Sequence, residues 1–173
     1  MATHNPQSIY AKIAQKALED SVKGKEPHLP EELPQELKRP GAVFVSLKKQ
    51  GQLRGCIGTV LPTRETLAQE IMENALNAGL KDPRFPPVTE DELHALTYSV
   101  DLLTEPEKIE DTSQLDPKRY GVIVRSGGRS GLLLPDLEGI DSPEEQLSVA
   151  MQKAGIYQDE KVEIYRFQVQ RYF

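Results

Sequence analysis

The chain has 173 residues, 38% of them hydrophobic and 28% charged, with a formal net charge of −6 and one cysteine. That length suits one domain with a proper core, and the longest apolar runs fall far short of a membrane span. The acidic balance disfavours nucleic acid, which selects a basic face, and the six tyrosines are scattered without a basic–aromatic ladder. One cysteine excludes an internal disulfide and any cysteine-rich zinc or iron–sulfur site within the chain. With no basic start followed by an apolar block, the expectation is a protein of the reducing cytoplasm.

Residues 7–23 set Tyr10, Ile13, Ala14, Ala17, Leu18 and Val22 at helical spacing, which predicts an amphipathic helix stopped by Gly24. "EPHLPEELPQELKRP" holds Pro27, Pro30, Pro34 and Pro40. It reads as an ordered connector with one short turn, pinned by Leu33 and Leu37. "GAVFVSLKKQGQLRGCIGTV" alternates as a hairpin with "KKQGQ" as its turn. Pro62 and Thr63 end it. Thr63 is expected to cap a helix over 64–79 whose stripe is Leu67, Ile71, Ala75 and Ala78.

"KDPRFPPV" is a proline-punctuated loop, and "TEDE" has the capping-box form, Thr89 with Glu92. A strand follows over 95–103. "YGVIVRSGGRSGLLLP" predicts a second hairpin turning at Gly127–Gly128. "DSPEEQLSVAMQKAG" predicts a helix with Ser142 as N-cap, Pro143 at its first position, Glu145 completing a capping box and Gly155 at its end. "KVEIYRFQVQRYF" reads as one terminal strand. Helices and hairpins mix without a βα rhythm, so the class is α+β with antiparallel pairing. No internal repeat is visible.

The chemistry centres on "LRGCIG". In an unbroken strand Arg54 and Cys56 share a face. A converging guanidinium would lower the thiol pKa, whereas a buried cysteine is simply a small apolar group. Gly55 and Gly58 allow a ligand close to the backbone, or else mark a bulge or tight packing under a helix. A nucleophile needs a base. His4, His28 and His94 match no catalytic or H-x-x-x-H pattern, so neither a Cys–His dyad nor a metal site is expected. Arg54, Arg84 and Arg129 present planar forks suited to carboxylate or phosphate. Their plainer readings are an Arg84–Asp82 pair holding its loop and an exposed hairpin residue at Arg129. Asp82 and Glu92 are possible acids or bases. "GGRSG" lacks the Lys-Ser/Thr ending of a phosphate loop and is followed by strand residues, so no cofactor is implied.

"LRGCIG", "DPRFPPV", "YGVIV…GGRSGLLLP" and "KAGI" together resemble the AMMECR1 domain family, over essentially the whole chain and nearest to its bacterial and archaeal branch. The resemblance implies a single two-lobed α+β domain over 1–173, with antiparallel or mixed sheets, hairpins and flanking helices. It also implies a cleft near the cysteine motif, and the company of a Memo-like protein, related to extradiol dioxygenases, and a radical-SAM enzyme. It names no reaction. Some family members carry histidine where this chain has Tyr120, which removes a candidate base. The expectation is that Cys56, as nucleophile or hydrogen-bond donor, borders a cleft with Arg54, Gly55, Gly58, Arg84 and Arg129. That cleft would take a small anionic or carbonyl-bearing substrate. The alternative is a non-catalytic binding module for the Memo-like and radical-SAM partners.

Overall fold

In a computed structural model, the structure describes residues 6–173. The chain divides into two compact units, one made of the residues up to Leu102 with Gln170–Phe173, the other of Leu103–Val169.

In the first unit, α1 (Ile9–Val22) starts where the Ser8 hydroxyl accepts the Ala11 N–H and ends before Gly24, whose φ of 76° is left-handed. The connector contains one 3-10 turn, Gln35–Lys38, with Leu37 fully buried. β1 (Val43–Lys49) and β2 (Gln52–Gly58) form the hairpin, turning at Gln50 and Gly51 with φ of 54° and 78°. α2 (Leu67–Leu80) follows, then a 3-10 turn over Glu90–Ala95 and β3 (Leu96–Leu103). The sheet order is β2-β1-β3-β8, where β8 is Val169–Tyr172. Val43, Val45 and Leu47 pack with Leu18, Ile71 and Ala75 of the helices. Each such side chain removed from water contributes roughly 1.5–3 kcal/mol.

The second unit holds β4 (Glu107–Ile109), β5 (Gly121–Ser126), β6 (Arg129–Leu133), α3 (Pro143–Ala154) and β7 (Glu163–Phe167). Its sheet runs β4-β7-β5-β6, and its core joins Val122, Val124 and Leu133 to Ala150 and Met151. The class is α+β.

Three expectations change. Thr66, not Thr63, caps α2, because Thr66 has Gln69 three residues on to complete the capping box. Thr63 instead donates its hydroxyl to the buried Glu70 carboxylate, which also accepts the Arg64 N–H at 2.7 Å. Glu145 reaches back to the Asp141 N–H rather than to that of Ser142. The terminal stretch is two strands in different sheets, parted at Gln168.

Although no sequence repeat is visible, the two units share one plan. Each has a hairpin, a helix, and then a strand that pairs beside the hairpin's first strand, giving β2-β1-β3 in one and β6-β5-β7 in the other. In each, the outer hairpin strand carries a glycine pressed against the helix backbone. A Cβ on Gly55 would lie 2.1 Å from the Ala78 carbonyl oxygen, and one on Gly131 would lie 2.3 Å from that of Ala150.

Candidate functional site

The register of the first hairpin decides where the "LRGCIG" side chains go. Lys48 faces Leu53 but Leu47 faces Gly55, so Arg54 is an extra, bulged residue. Gly55 and Ile57 pair with Leu47 and Val45 on the helical face, and Cys56 pairs with Ser46 one step out of phase. The bulge breaks the shared face expected for Arg54 and Cys56. Arg54 joins Lys49, which is in phase with Val43, Val45 and Leu47, and both reach Glu92. The Arg54 Nε and Nη2 donate to the two Glu92 oxygens at 3.0 and 3.1 Å, and the Lys49 Nζ donates at 3.1 Å. Glu92 also accepts the Thr89 N–H at 2.8 Å, so its capping role and its ion pair coexist. Arg54, foremost among these partners, holds the Glu92 carboxyl down at about 2 against the cost of burial.

Arg84 is the cation beside Cys56. β2 is an edge strand, and the outward backbone groups of Cys56 are met by the "DPR" loop. Asp82 Oδ2 accepts the Cys56 N–H at 3.0 Å, and the Arg84 Nη2 donates to the Cys56 carbonyl at 3.3 Å. Arg84 also donates through Nε and Nη2 to Asp82 at 3.0 and 2.8 Å. The carboxylate and guanidinium thus act as the missing neighbour strand, which blunts the edge. The Asp82 carboxyl lies well below the usual range, chiefly through its bond from Arg84. The plain reading of an Arg84–Asp82 pair is what the geometry shows. That pair, however, is also fastened to the cysteine.

The thiol itself is half-buried, with the Ser46 hydroxyl donating to Sγ at 3.2 Å. Burial pushes the Cys56 pKa up. Ser46 and the Arg84 charge pull it back, while Asp101 and Asp82 add to the rise. The side chain is therefore a neutral thiol at pH 7. Among the described residues no histidine serves it: His28 and His94 are both exposed, and His4 lies outside those residues. Among the described residues no three His, Cys, Asp or Glu side chains are grouped to hold a metal.

Gly58 sits beneath the Phe44 ring, where a Cβ would approach to 2.3 Å. Both motif glycines are therefore required by packing. Arg129 belongs to the second unit, where it donates to the Gly155 carbonyl at 2.6 Å and pairs with Glu160. Each of the three motif arginines thus has a carboxylate partner. Arg84 keeps a free side: its side chain is 54% exposed, and Nη1 makes no hydrogen bond among the described residues. Ser46 was missed in the sequence. It sits on the less buried parity of β1, and only the bulge at Arg54 brings it across from Cys56.

The family model described as AMMECR1 matches residues 11–172. The chain belongs to the AMMECR1 family. A Thermotoga maritima relative is 54% identical, over 94% of this chain and 96% of its own length. One from Methanothermobacter thermautotrophicus is 39% identical, over 92% and 89%. A Clostridium acetobutylicum relative is 53% identical over 79% of this chain, which spans only 29% of that protein. The crystal structure of an uncharacterized protein from Pyrococcus horikoshii superposes with a TM-score of 0.86 at 35% identity, covering 94% of this chain and 88% of that one. The AMMECR1 chain has no helix long and apolar enough to cross a membrane among its described residues.

Proposed function

We propose that this AMMECR1-family chain is a non-covalent binding module of the cytoplasm. Its site is Cys56, Ser46 and the free edge of Arg84, and it takes a small anionic or carbonyl-bearing group. In this reading the chain belongs to the branch called AmmeMemoRadiSam system protein A and hands or presents its ligand to a Memo-like protein and a radical-SAM enzyme. The observation that carries it is the Ser46 hydroxyl donating to a half-buried Cys56 thiol beside a half-exposed guanidinium, where burial favours the neutral thiol and no histidine is paired to it among the described residues. Such a set donates hydrogen bonds and holds charge, but it does not generate a thiolate.

The second unit adds support. Leu132 follows Gly131 as Cys56 follows Gly55, and its carbonyl accepts the Lys153 Nζ at 3.1 Å as that of Cys56 accepts Arg84. A hydrocarbon suffices at that place in the plan, so a thiol there answers no demand of the fold. The Clostridium relative, in which this domain is less than a third of the chain, fits a module that works on something joined to it.

Pyruvate, a carboxylate with an adjacent carbonyl, is a suitable probe, titrated into the full chain by amide chemical shift. Cys56→Ser should keep binding within about threefold, whereas Arg84→Ala should weaken it about tenfold or more, the loss of a charge-assisted bond. The thiolate absorbance should appear only above the ordinary thiol pKa. A thiol that ionises below neutral pH and is alkylated rapidly at pH 7 would replace this reading with nucleophilic catalysis.

A further inference from the structure

The turn "RSGGR" of the second unit faces a concavity of about 890 Å³ lined by Arg125, Ser126, Gly127, Lys161, Val162 and Glu163. Arg125 differs from the arginines singled out by motif. Arg54, Arg84 and Arg129 each hold a carboxylate, but Arg125 has no hydrogen bond or ion pair among the described residues. Its guanidinium lies 5.2 Å from the centre of the Tyr165 ring. That contact orients the plane and leaves the N–H edge unspent. Glu163, directly opposite Arg125 across the strands, is engaged elsewhere: it accepts the Tyr165 hydroxyl at 2.9 Å and lies 3.8 Å from the Lys108 Nζ. Lys161 is exposed and likewise without a carboxylate. Two cations without an ion pair among the described residues therefore outnumber the one carboxylate, Glu163, that lines the same concavity of a protein whose net charge is −6.

The turn glycines point the same way. Gly127 has a φ of 60°, which explains it. Gly128 does not take positive φ, and a Cβ there would meet nothing within 4 Å. Neither strain nor packing asks for glycine at 128. Its absent side chain leaves the turn beside the concavity uncovered.

We propose that this turn is an oxyanion site for the phosphoryl group of a small molecule, built from Arg125, Lys161, the Ser126 hydroxyl and the turn amide of Gly127. It is not a nucleotide loop, since a strand and not a helix follows. The donors are a fork, a point charge, a hydroxyl and a backbone N–H group, arranged around a concavity in the size range of metabolite sites. A tetrahedral dianion uses all of them, whereas a carboxylate is satisfied by the fork alone.

The test titrates sodium pyrophosphate into the isotope-labelled full chain at constant ionic strength, with citrate as the carboxylate control. The Gly127 amide should shift saturably, with citrate weaker. Arg125→Ala and Lys161→Glu should each weaken pyrophosphate about tenfold, the scale of one charge-assisted bond. Arg119→Ala, which removes a second cation stacked on a tyrosine in this unit but not lining the concavity, should leave it unchanged. Lys161 is exposed, so Lys161→Glu decides the matter even if Arg125→Ala fails to fold. Shifts that do not saturate, shifts untouched by Lys161→Glu, or citrate binding as tightly as pyrophosphate would each overturn the assignment.

Discussion

At the scale of single residues, the "LRGCIG" motif separates into parts with different duties. Arg54 leaves the cysteine for Glu92, and the pair is nearly closed to solvent, with side chains 11% and 15% exposed. The Glu92 pKa is depressed, so its contribution to stability is complete above the ordinary carboxylate value and is lost as pH falls through the folded one. Asp82 shifts in the same direction. The protein should therefore lose stability steeply from pH 4.5 toward about 2, the interval between the ordinary and folded values of Glu92. Denaturant midpoints measured across that range check it. Glu92→Gln should begin about 3 kcal/mol less stable, the cost of stranding a buried partner, and should show a flatter acid limb. Around the thiol the signs are reversed. Ser46→Ala and Arg84→Ala each remove a group that favours the thiolate, so each should slow alkylation of Cys56 at a fixed pH.

At the scale of elements, glycine separates packing from freedom. A Cβ at Gly55 would meet the Ala78 backbone oxygen, which no rotamer change can relieve. Gly55→Ala must therefore push α2 away and should cost about 3 kcal/mol, the upper range for overpacking. Gly128→Ala meets open space and should change stability by no more than about 0.5 kcal/mol. Thermal melts of the two variants side by side test the contrast. The elements themselves were largely legible in the sequence because their signals are local. Gly24, Ser142 and Gly155 mark helix ends, and the alternation of Val43, Val45 and Leu47 marks a buried face. What escaped was what needs a partner strand to be seen. The bulge at Arg54 appears only in the register with Leu47 and Lys48, and it moved the arginine off the cysteine's face. The split at Gln168 left no trace in the pattern: the apolar parity changes between Ile164 and Phe167, inside β7, and is the same on the two sides of the break. The short β4, a three-residue strand between polar neighbours, carries too little pattern to announce itself.

At the scale of the whole molecule, two units of like plan differ in how the chain closes them. The second is one continuous stretch, Leu103–Val169, whereas the first is finished by four residues from the far end of the chain. Those residues do much for their number. Arg171 donates through Nε and Nη2 to the two Asp101 oxygens at 2.7 and 3.0 Å, and Asp101 is only 1% exposed. The Tyr172 ring stacks on Tyr10 of α1 with centroids 4.0 Å apart, and the Phe173 carbonyl accepts the N–H groups of Gln7 and Ser8 at the start of that helix. Deleting Gln170–Phe173 would strip β3 of β8, one of its two neighbours, and strand a buried carboxylate, a loss of about 3–5 kcal/mol from the ion pair alone. Hydrogen exchange should register this unevenly. Amides of α1 and β3 should lose protection by orders of magnitude, while those of β5 and β7, whose pairings lie wholly within the second unit, should keep most of theirs. Equal loss in both sets would mean that the two units unfold as one cooperative body and that the late strand stabilises the whole chain rather than the unit it completes.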